Sequence, residues 1–521
     1  MSRAARRRLI YLSAIVLAGF LLRLALLNLV HNPGLHDPLH YYNLGRRLAQ
    51  GQGFTIDYVW HYSRLPVDLV HATDHWMPLP GVAVALGMSL GGVSIQAALT
   101  LFLVSGALLP LLSFWACRLL DLPEACAWIA AAFTALNPEL VLNSLRTDTT
   151  ILNAALVCCG LLVFCRALDL QKRLLFAGSG ILFGLAYLTR NDSILFLPML
   201  LVFALAASRL RPNRAVHTGT LLALVAALLT VAPWLLRNLQ EIGMLGSPAS
   251  SRMPFMIDPI DLYAYKIDIT LESMLARQTV GELLGKRLFE LAATVKQMAL
   301  ALDLPALILT PLGIIWLVKQ RDRRLLMASP ALIWTLGIVL VYPLLMPVHN
   351  QGGSFKKAFI TILPLLIPLA ALALVKLSPR REWLWLLTAL SIMWLGGRSV
   401  QLVQQQTAFA DKYHASIAVL VDALKELPDQ TGDGELRLMA QEPYVFSNVG
   451  IPSIVTPLAS REDVLELATI YAIDYLMLPA ARPALDPLYL GAETDPRFPI
   501  ALHLTDAGEK PWQLLRFVHE P

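Results

Sequence analysis

Charged side chains are scarce in this chain: Asp, Glu, Lys and Arg make up 15% of it against 56% hydrophobic residues, whereas a soluble domain carries about 25% charged residues. That deficit excludes an ordinary water-soluble globule, because the apolar excess must face something other than water. The runs that hold it are about 17 to 25 residues long, the thickness of a bilayer core. Cysteine is nearly absent too. The five present (Cys117, Cys126, Cys158, Cys159 and Cys165) lie in or at the ends of apolar segments, so no disulfide framework is indicated. No GxGxxG, Walker or His-Glu-x-x-His pattern occurs, nor any heptad seam or internal repeat, which removes the simplest signatures of nucleotide and zinc sites. The net charge of +5 is no nucleic-acid footprint, because Lys and Arg fall in small clusters between apolar runs and form no patch.

What is present reads as a mainly α, polytopic bundle of about eleven membrane-spanning helices followed by a small C-terminal α/β domain outside the membrane. Four arginines between Ser2 and Arg8 precede an apolar run, Leu9 to Val30, too long for a removable signal peptide. Further spans are expected at Val93–Cys117, Glu124–Asn143, Thr149–Ala167, Leu174–Thr189, Ser193–Ala207, Val216–Leu236, Met298–Val318, Leu325–Met346, Ala358–Leu377 and Trp383–Gly397. Alternate loops are basic: Arg166 with Lys172 and Arg173; Arg209, Arg211 and Arg214; Lys319, Arg321, Arg323 and Arg324; Lys376, Arg380 and Arg381. By the positive-inside rule these loops and the N-terminus are cytoplasmic, in a plasma membrane. Residues 31–78, 237–297 and the tail then lie outside. The expected division is a membrane module over residues 1–400 and an outer domain over 411–521. In the tail, short β-prone stretches (Leu436–Ala440, Ser453–Thr456, Tyr475–Leu478, Trp512–Val518) alternate with a helical pattern at Glu462–Tyr471.

The first outer loop contains His36-Asp37-Pro38, then Tyr41 and Tyr42, and closes on Gly51-Gln-Gly-Phe54. Asp37 is suited to cap a helix with proline at its first position. An acidic residue just after the first span, followed by Tyr and a helix ending in Gly-x-Gly-Phe, resembles the opening of the GT-C membrane glycosyltransferases. Within them it is similar to the branch of the protein mannosyltransferases and the lipid A aminoarabinose transferase. The resemblance continues in Trp76-Met-Pro-Leu-Pro80, in Asn143-Ser-Leu-Arg-Thr-Asp148, in Gly184-Leu-Ala-Tyr-Leu-Thr-Arg190 and in Pro233-Trp-Leu-Leu-Arg-Asn238.

What this resemblance implies is a catalytic module that moves a sugar, with inversion, from a polyprenyl-phosphate donor to a protein, lipid or polysaccharide acceptor outside the membrane. Such transfer needs a base for the acceptor and cations for the departing phosphate. The resemblance makes Asp37 the base and Asp148 a second acid of the site. Arg146, Arg190 and Arg237 stand at expected outer helix ends, where a guanidinium can grip a phosphate bidentately or simply snorkel. Lys356 and Lys357 follow the outer loop Val348 to Ser354, where the family places a basic residue, although its usual Arg-Tyr pair is absent.

Six of the eleven histidines crowd the first loop. His36, His40 and His75 with Asp37 are the candidate ligands of a divalent metal (Mg, Mn or Zn), against chance enrichment in a polar loop. Some members of the family use such an ion and others do not. A transporter or flippase of lipid-linked substrates is the alternative class, but its signature of mid-membrane charges and paired halves is missing. A polysaccharide polymerase or ligase would share the lipid-linked donor.

Overall fold

In lipid every backbone N–H and C=O must be satisfied within its own segment, so apolar runs fold as helices. The computed structural model describes residues 3–202, 214–319, 323–346, 348, 353–430, 432, 434–504 and 511–518. Arg209, Arg211, Arg321, the end of the expected span Ser193–Ala207, and His349 to Gly352 lie outside the described residues.

In chain order the helices are α1 (Arg3–Leu27), α2 (Asp37–Ala49), α3 (Pro78–Gly91), α4 (Ile95–Leu119), α5 (Glu124–Leu136), α6 (Pro138–Asn143), α7 (Thr149–Leu170) and α8 (Arg173–Tyr187). Then come α9 (Asn191–Val202), α10 (Arg214–Ile242), α11 (Leu271–Arg277), α12 (Val280–Lys319), α13 (Arg323–Leu345), α14 (Ser354–Ile360), α15 (Leu363–Leu377) and α16 (Arg381–Leu424). The chain is a multi-pass membrane protein. Among the described residues seven helices (α1, α4, α7, α10, α12, α13 and α16) are long and apolar enough to cross a membrane, with an eighth if α14 and α15, bent by 61°, form one span. The expected number of about eleven is therefore not reached by length. Three of the expected spans are occupied by the shorter helices α5, α8 and α9, of which the longest, α8, has 15 residues, or about 22 Å of rise against a core of about 30 Å.

Two elements run further than their apolar runs. α16 continues through Gly396-Gly397 to Leu424, because a buried stripe of Leu395, Ser399, Val403, Ala410, Ile417 and Leu424 keeps helical spacing beyond the membrane. α12 begins well before Met298, and the backbone breaks at Asp303 (φ 61°, ψ 167°). The Asp303 carboxylate there accepts from the Leu304 N–H (2.7 Å) and restarts the helix.

The break between α5 and α6 matters for the site. Pro138 supplies no N–H, and Asn137 caps α6 by accepting from Leu140 N. Arg23 of α1, fully buried, donates to the freed Ala135 carbonyl (2.9 Å) and to Ser144 Oγ (3.0 Å). Gly106 lets α4 approach Ser144, since a Cβ there would lie 2.0 Å from its hydroxyl. This fixes the segment from which Arg146 and Asp148 project.

The tail folds as expected into an α/β unit, with α17 (Pro443–Asn448) and α18 (Arg461–Ile470) beside a sheet. Its strands are β4 (Leu438–Ala440), β5 (Ser453–Val455), β6 (Tyr475–Leu478), β7 (Ile500–Leu504) and β8 (Trp512–Arg516), preceded in the chain by β1 (Thr55–Ile56), β2 (Tyr58–Val59) and β3 (His71–Ala72) of the first loop. The sheet order is β2-β5-β4-β6-β8-β7. The first loop thus contributes an edge strand, Tyr58 and Val59 pairing in parallel with Ser453 and Ile454. Asn43 Nδ2 donates to Tyr444 O (2.9 Å) and Tyr471 Oη to Pro66 O (2.7 Å), so loop and tail hold each other.

Removing the chain beyond Leu424 should therefore unfasten the first loop. Limited proteolysis is expected to cut residues 55–77 in the truncated protein and spare them in the full chain; equal resistance in both would show that the membrane helices alone order the loop.

Candidate active site

α2 starts at Asp37, with His36 at the cap position (φ 57°) and Pro38 in the first turn. The expectation that the Asp37 carboxylate caps this helix is not met. It sits one residue past the cap and turns into a cavity, where Oδ1 accepts from Trp76 Nε1 (3.2 Å) and Oδ2 lies 2.8 Å from Lys357 Nζ. An ammonium out-competes neutral backbone donors for a carboxylate. Asp148 does both jobs: it caps α7 through the Thr149 N–H, and its Oδ2 lies 2.8 Å from the same Lys357 Nζ. One lysine on the two-turn helix α14 thus joins two carboxylates from distant segments.

The cavity has a volume of about 740 Å³. Arg190 stands between α8 and α9 and lines it, but its guanidinium is held by Asp192 (2.7 Å), Thr149 Oγ (3.0 Å) and Tyr342 Oη (3.2 Å). Arg146 also lines it, half-buried, and donates to Gln406 of α16 (2.7 Å). Among the described residues no carboxylate lies within ion-pairing distance of Arg146. Arg237 is elsewhere: it donates to the carbonyls of Thr73 (2.7 Å) and Phe54 (2.9 Å) and stacks on Trp234, clamping the first loop. Lys356 points away from the cavity to the buried Glu139 of α6 (2.5 Å). Asp37, Asp148, Arg146, Arg190 and Lys357 are therefore brought together; Arg237 and Lys356 are not.

The histidines do not assemble around Asp37. His36 faces Tyr444 Oη (2.8 Å) and Glu442 (3.3 Å) of the tail, and His75 faces Ser247 Oγ (3.2 Å). His40 is buried, stacked on Trp76 (3.8 Å) and hydrogen-bonded to Tyr58. Burial pushes its imidazole down to about 3, so it is neutral. Among the described residues no group of three or more His, Cys, Asp or Glu is arranged to hold a metal. The expected set His36, His40, His75 and Asp37 does not fit one, because tail and loop contacts engage each ring separately.

Sequence reasoning did not single out Asp192, Tyr342, Gln406, Glu442 or Tyr444. Asp192 had a signal, a carboxylate two residues after Arg190 at a helix end. Gln406 and Tyr444 had none, since each reaches the site only through a long-range contact.

Burial by itself would raise the Asp37 carboxyl, but the Lys357 ammonium and the Trp76 N–H outweigh it and hold it below the ordinary carboxylate range. A depressed folded value contributes stability that is complete above the unfolded value of about 4 and is lost as pH falls through the lower folded one. The melting temperature of the wild type should therefore be flat from pH 8 to about 5 and fall in stronger acid. Asp37→Asn should flatten part of that acid limb; an unchanged limb would show that the pair contributes nothing there.

Residues 74–236 match the family model described as dolichyl-phosphate-mannose-protein mannosyltransferase. A search of curated proteins finds no match. Among solved structures the chain is similar to ArnT from Cupriavidus metallidurans in the apo state, at 14% identity and TM-score 0.60 over 99% of this chain and 98% of that one. It is similar to the same protein bound to undecaprenyl phosphate, at 15% identity and TM-score 0.58 over 98% of each chain. It is also similar to the Archaeoglobus fulgidus oligosaccharyltransferase in complex with Zn and sulfate, at 14% identity and TM-score 0.59 over 89% of this chain and 67% of that one. At such identities the likeness is one of fold. The chain has the GT-C fold of membrane glycosyltransferases along nearly its whole length, with the mannosyltransferase family's sequence pattern over residues 74–236.

Proposed function

We infer that this protein is an inverting glycosyltransferase that takes a sugar from a polyprenyl-phosphate carrier and passes it to an acceptor on the outer face of the membrane. The observation that carries this reading is the convergence of Asp37 and Asp148 on Lys357 beside Arg146, in a cavity also walled by the apolar side chains of Leu195, Val341 and Met346. A lipid phosphate needs such a setting: cations for its oxygens and an apolar wall for its chain. Similarity to a protein whose structure holds undecaprenyl phosphate supports the same donor class here.

In the proposed step Asp37 accepts the proton of the acceptor O–H or N–H as that atom forms its bond to the anomeric carbon. The bond from that carbon to the phosphate oxygen breaks, its electron pair staying with the phosphate. Arg146 takes up the charge that develops there, and Arg190 joins it if the phosphate displaces Asp192. Residues 1–400 form the catalytic module in this reading. Residues 411–521 form the outer domain, which meets His36 next to Asp37 through Glu442 and Tyr444. The basic loops put the N-terminus in the cytoplasm and the tail outside, at a plasma membrane.

The test is release of polyprenyl phosphate from radiolabelled polyprenyl-phosphate sugars by the full chain in nanodiscs with a crude acceptor extract. Asp37→Asn should lower the rate by about 10² to 10⁴ with membrane insertion intact. A fully active Asp37→Asn protein would remove the mechanism. No turnover with any donor, wild type included, would turn the assignment toward a transporter or a polymerase using a diphosphate-linked oligosaccharide.

A further inference from the structure

Two carboxylates that aim one oxygen each at a common point are half of a divalent-cation site. Here that point is filled by a side chain of the same protein. Lys357 Nζ lies 2.8 Å from Asp37 Oδ2 and 2.8 Å from Asp148 Oδ2. Among the described residues no group of three or more His, Cys, Asp or Glu converges there, so an ion bridging the pair would complete its shell with water, as magnesium does. Zinc asks for four ligands of the His, Cys or carboxylate kind, and magnesium for near-octahedral oxygen. The imidazoles nearest the pair are committed elsewhere, His36 to Tyr444 and Glu442, His40 to Tyr58 and His75 to Ser247.

We propose that Lys357 is a built-in cation standing where a divalent ion would bridge Asp37 and Asp148, so that this chain transfers its substrate without metal, and that deleting the ammonium exposes a latent divalent-cation site. The part concerning transfer rests on the function proposed above; the part concerning the latent site does not. An ammonium has three N–H donors on one compact charge. Its Nζ donates to Asp37 Oδ2 and lies 2.8 Å from Asp148 Oδ2, and the same ammonium lines the cavity with Arg146, where an oxygen of the donor phosphate can meet it. The lysine thereby does two tasks of a metal: it holds the two carboxylates side by side, and it offers positive charge to the leaving group. It differs from a metal in being covalently tethered, so it is neither lost to a chelator nor dependent on ion supply.

The test uses the full chain in nanodiscs with Mn²⁺ as probe, read by electron paramagnetic resonance. It compares wild type, Asp148→Asn, Lys357→Ala and the double variant Lys357→Ala/Asp148→Asn. The wild type is expected to hold no more Mn²⁺ than empty nanodiscs, and its release of polyprenyl phosphate is expected to be unaffected by EDTA. Lys357→Ala is expected to bind Mn²⁺ at least about tenfold more tightly than wild type, to melt at a higher temperature when Mn²⁺ is added, and to lose both properties in the double variant. Three results would overturn the proposal: Mn²⁺ bound by wild type and lost in Asp148→Asn, chelator-sensitive turnover of wild type, or a folded Lys357→Ala protein that gains no Mn²⁺. Should Lys357→Ala fail to fold, the wild-type and Asp148→Asn measurements still decide. Should no donor turn over, the functional assignment fails on its own, and the Mn²⁺ measurements remain readable.

Discussion

The ion triad of Asp37, Lys357 and Asp148 is the constraint around which the rest is arranged. Asp37 and Lys357 are 320 positions apart in the chain, and Asp148, buried against the same lysine, is a charge too costly to bury alone. Bringing them together requires that α2 lie across the mouth of the bundle, that α7 begin at its rim, and that the chain between α13 and α15 bend sharply enough to place a lysine between them. The 61° bend between α14 and α15 does the last of these. The triad carries two negative charges for one positive, and Arg146, which among the described residues pairs with no carboxylate, supplies a second positive charge to the same cavity.

A second buried charge holds up the first. Arg23 sits within a membrane span with no exposure and, among the described residues, no carboxylate partner, satisfying instead the carbonyl left open where α5 stops at Asn137-Pro138. In lipid an unsatisfied carbonyl and a bare guanidinium are both expensive, and each relieves the other. Through Ser144 the same guanidinium reaches the short stretch that delivers Arg146 and Asp148 to the cavity. On the far side of that stretch, Lys356 ties Glu139 of α6 to the helix that carries Lys357. Adjacent lysines thus have separate duties, one in the site and one in its frame.

The tail is part of the same construction. Its sheet takes Tyr58 and Val59 of the first loop as an edge strand, and its residues Glu442 and Tyr444 engage His36 next to Asp37. A loop fastened along one side to a folded sheet and, through Arg237, to α10 holds its aromatic residues in fixed places. Trp76 can then hydrogen-bond Asp37 while stacking on His40. The histidines of this loop are engaged one by one, His36 by Tyr444 of the tail, His61 by Asp74 of the loop itself and His75 by Ser247.

Hydropathy and strand alternation determined that the chain crosses a membrane many times, roughly where its long apolar helices centre, and that an α/β unit follows, because burial in lipid and alternation in a strand are local properties of consecutive residues. Local order also marked Asp37, Asp148, Arg146 and Arg190, since each stands beside a helix end within a recognisable pattern. The tertiary structure alone decided the lengths at which short helices such as α5 and α8 stop, the continuation of α16 through two glycines, and the recruitment of β2, whose two residues carry no signal of their own. It also separated Lys357 from Lys356 and Arg146 from Arg237, pairs that are alike in composition and setting along the chain. Which cation enters a site depends on where a helix bends and which carboxylate it meets. Those are contacts between residues hundreds of positions apart, and no window of neighbouring residues contains them.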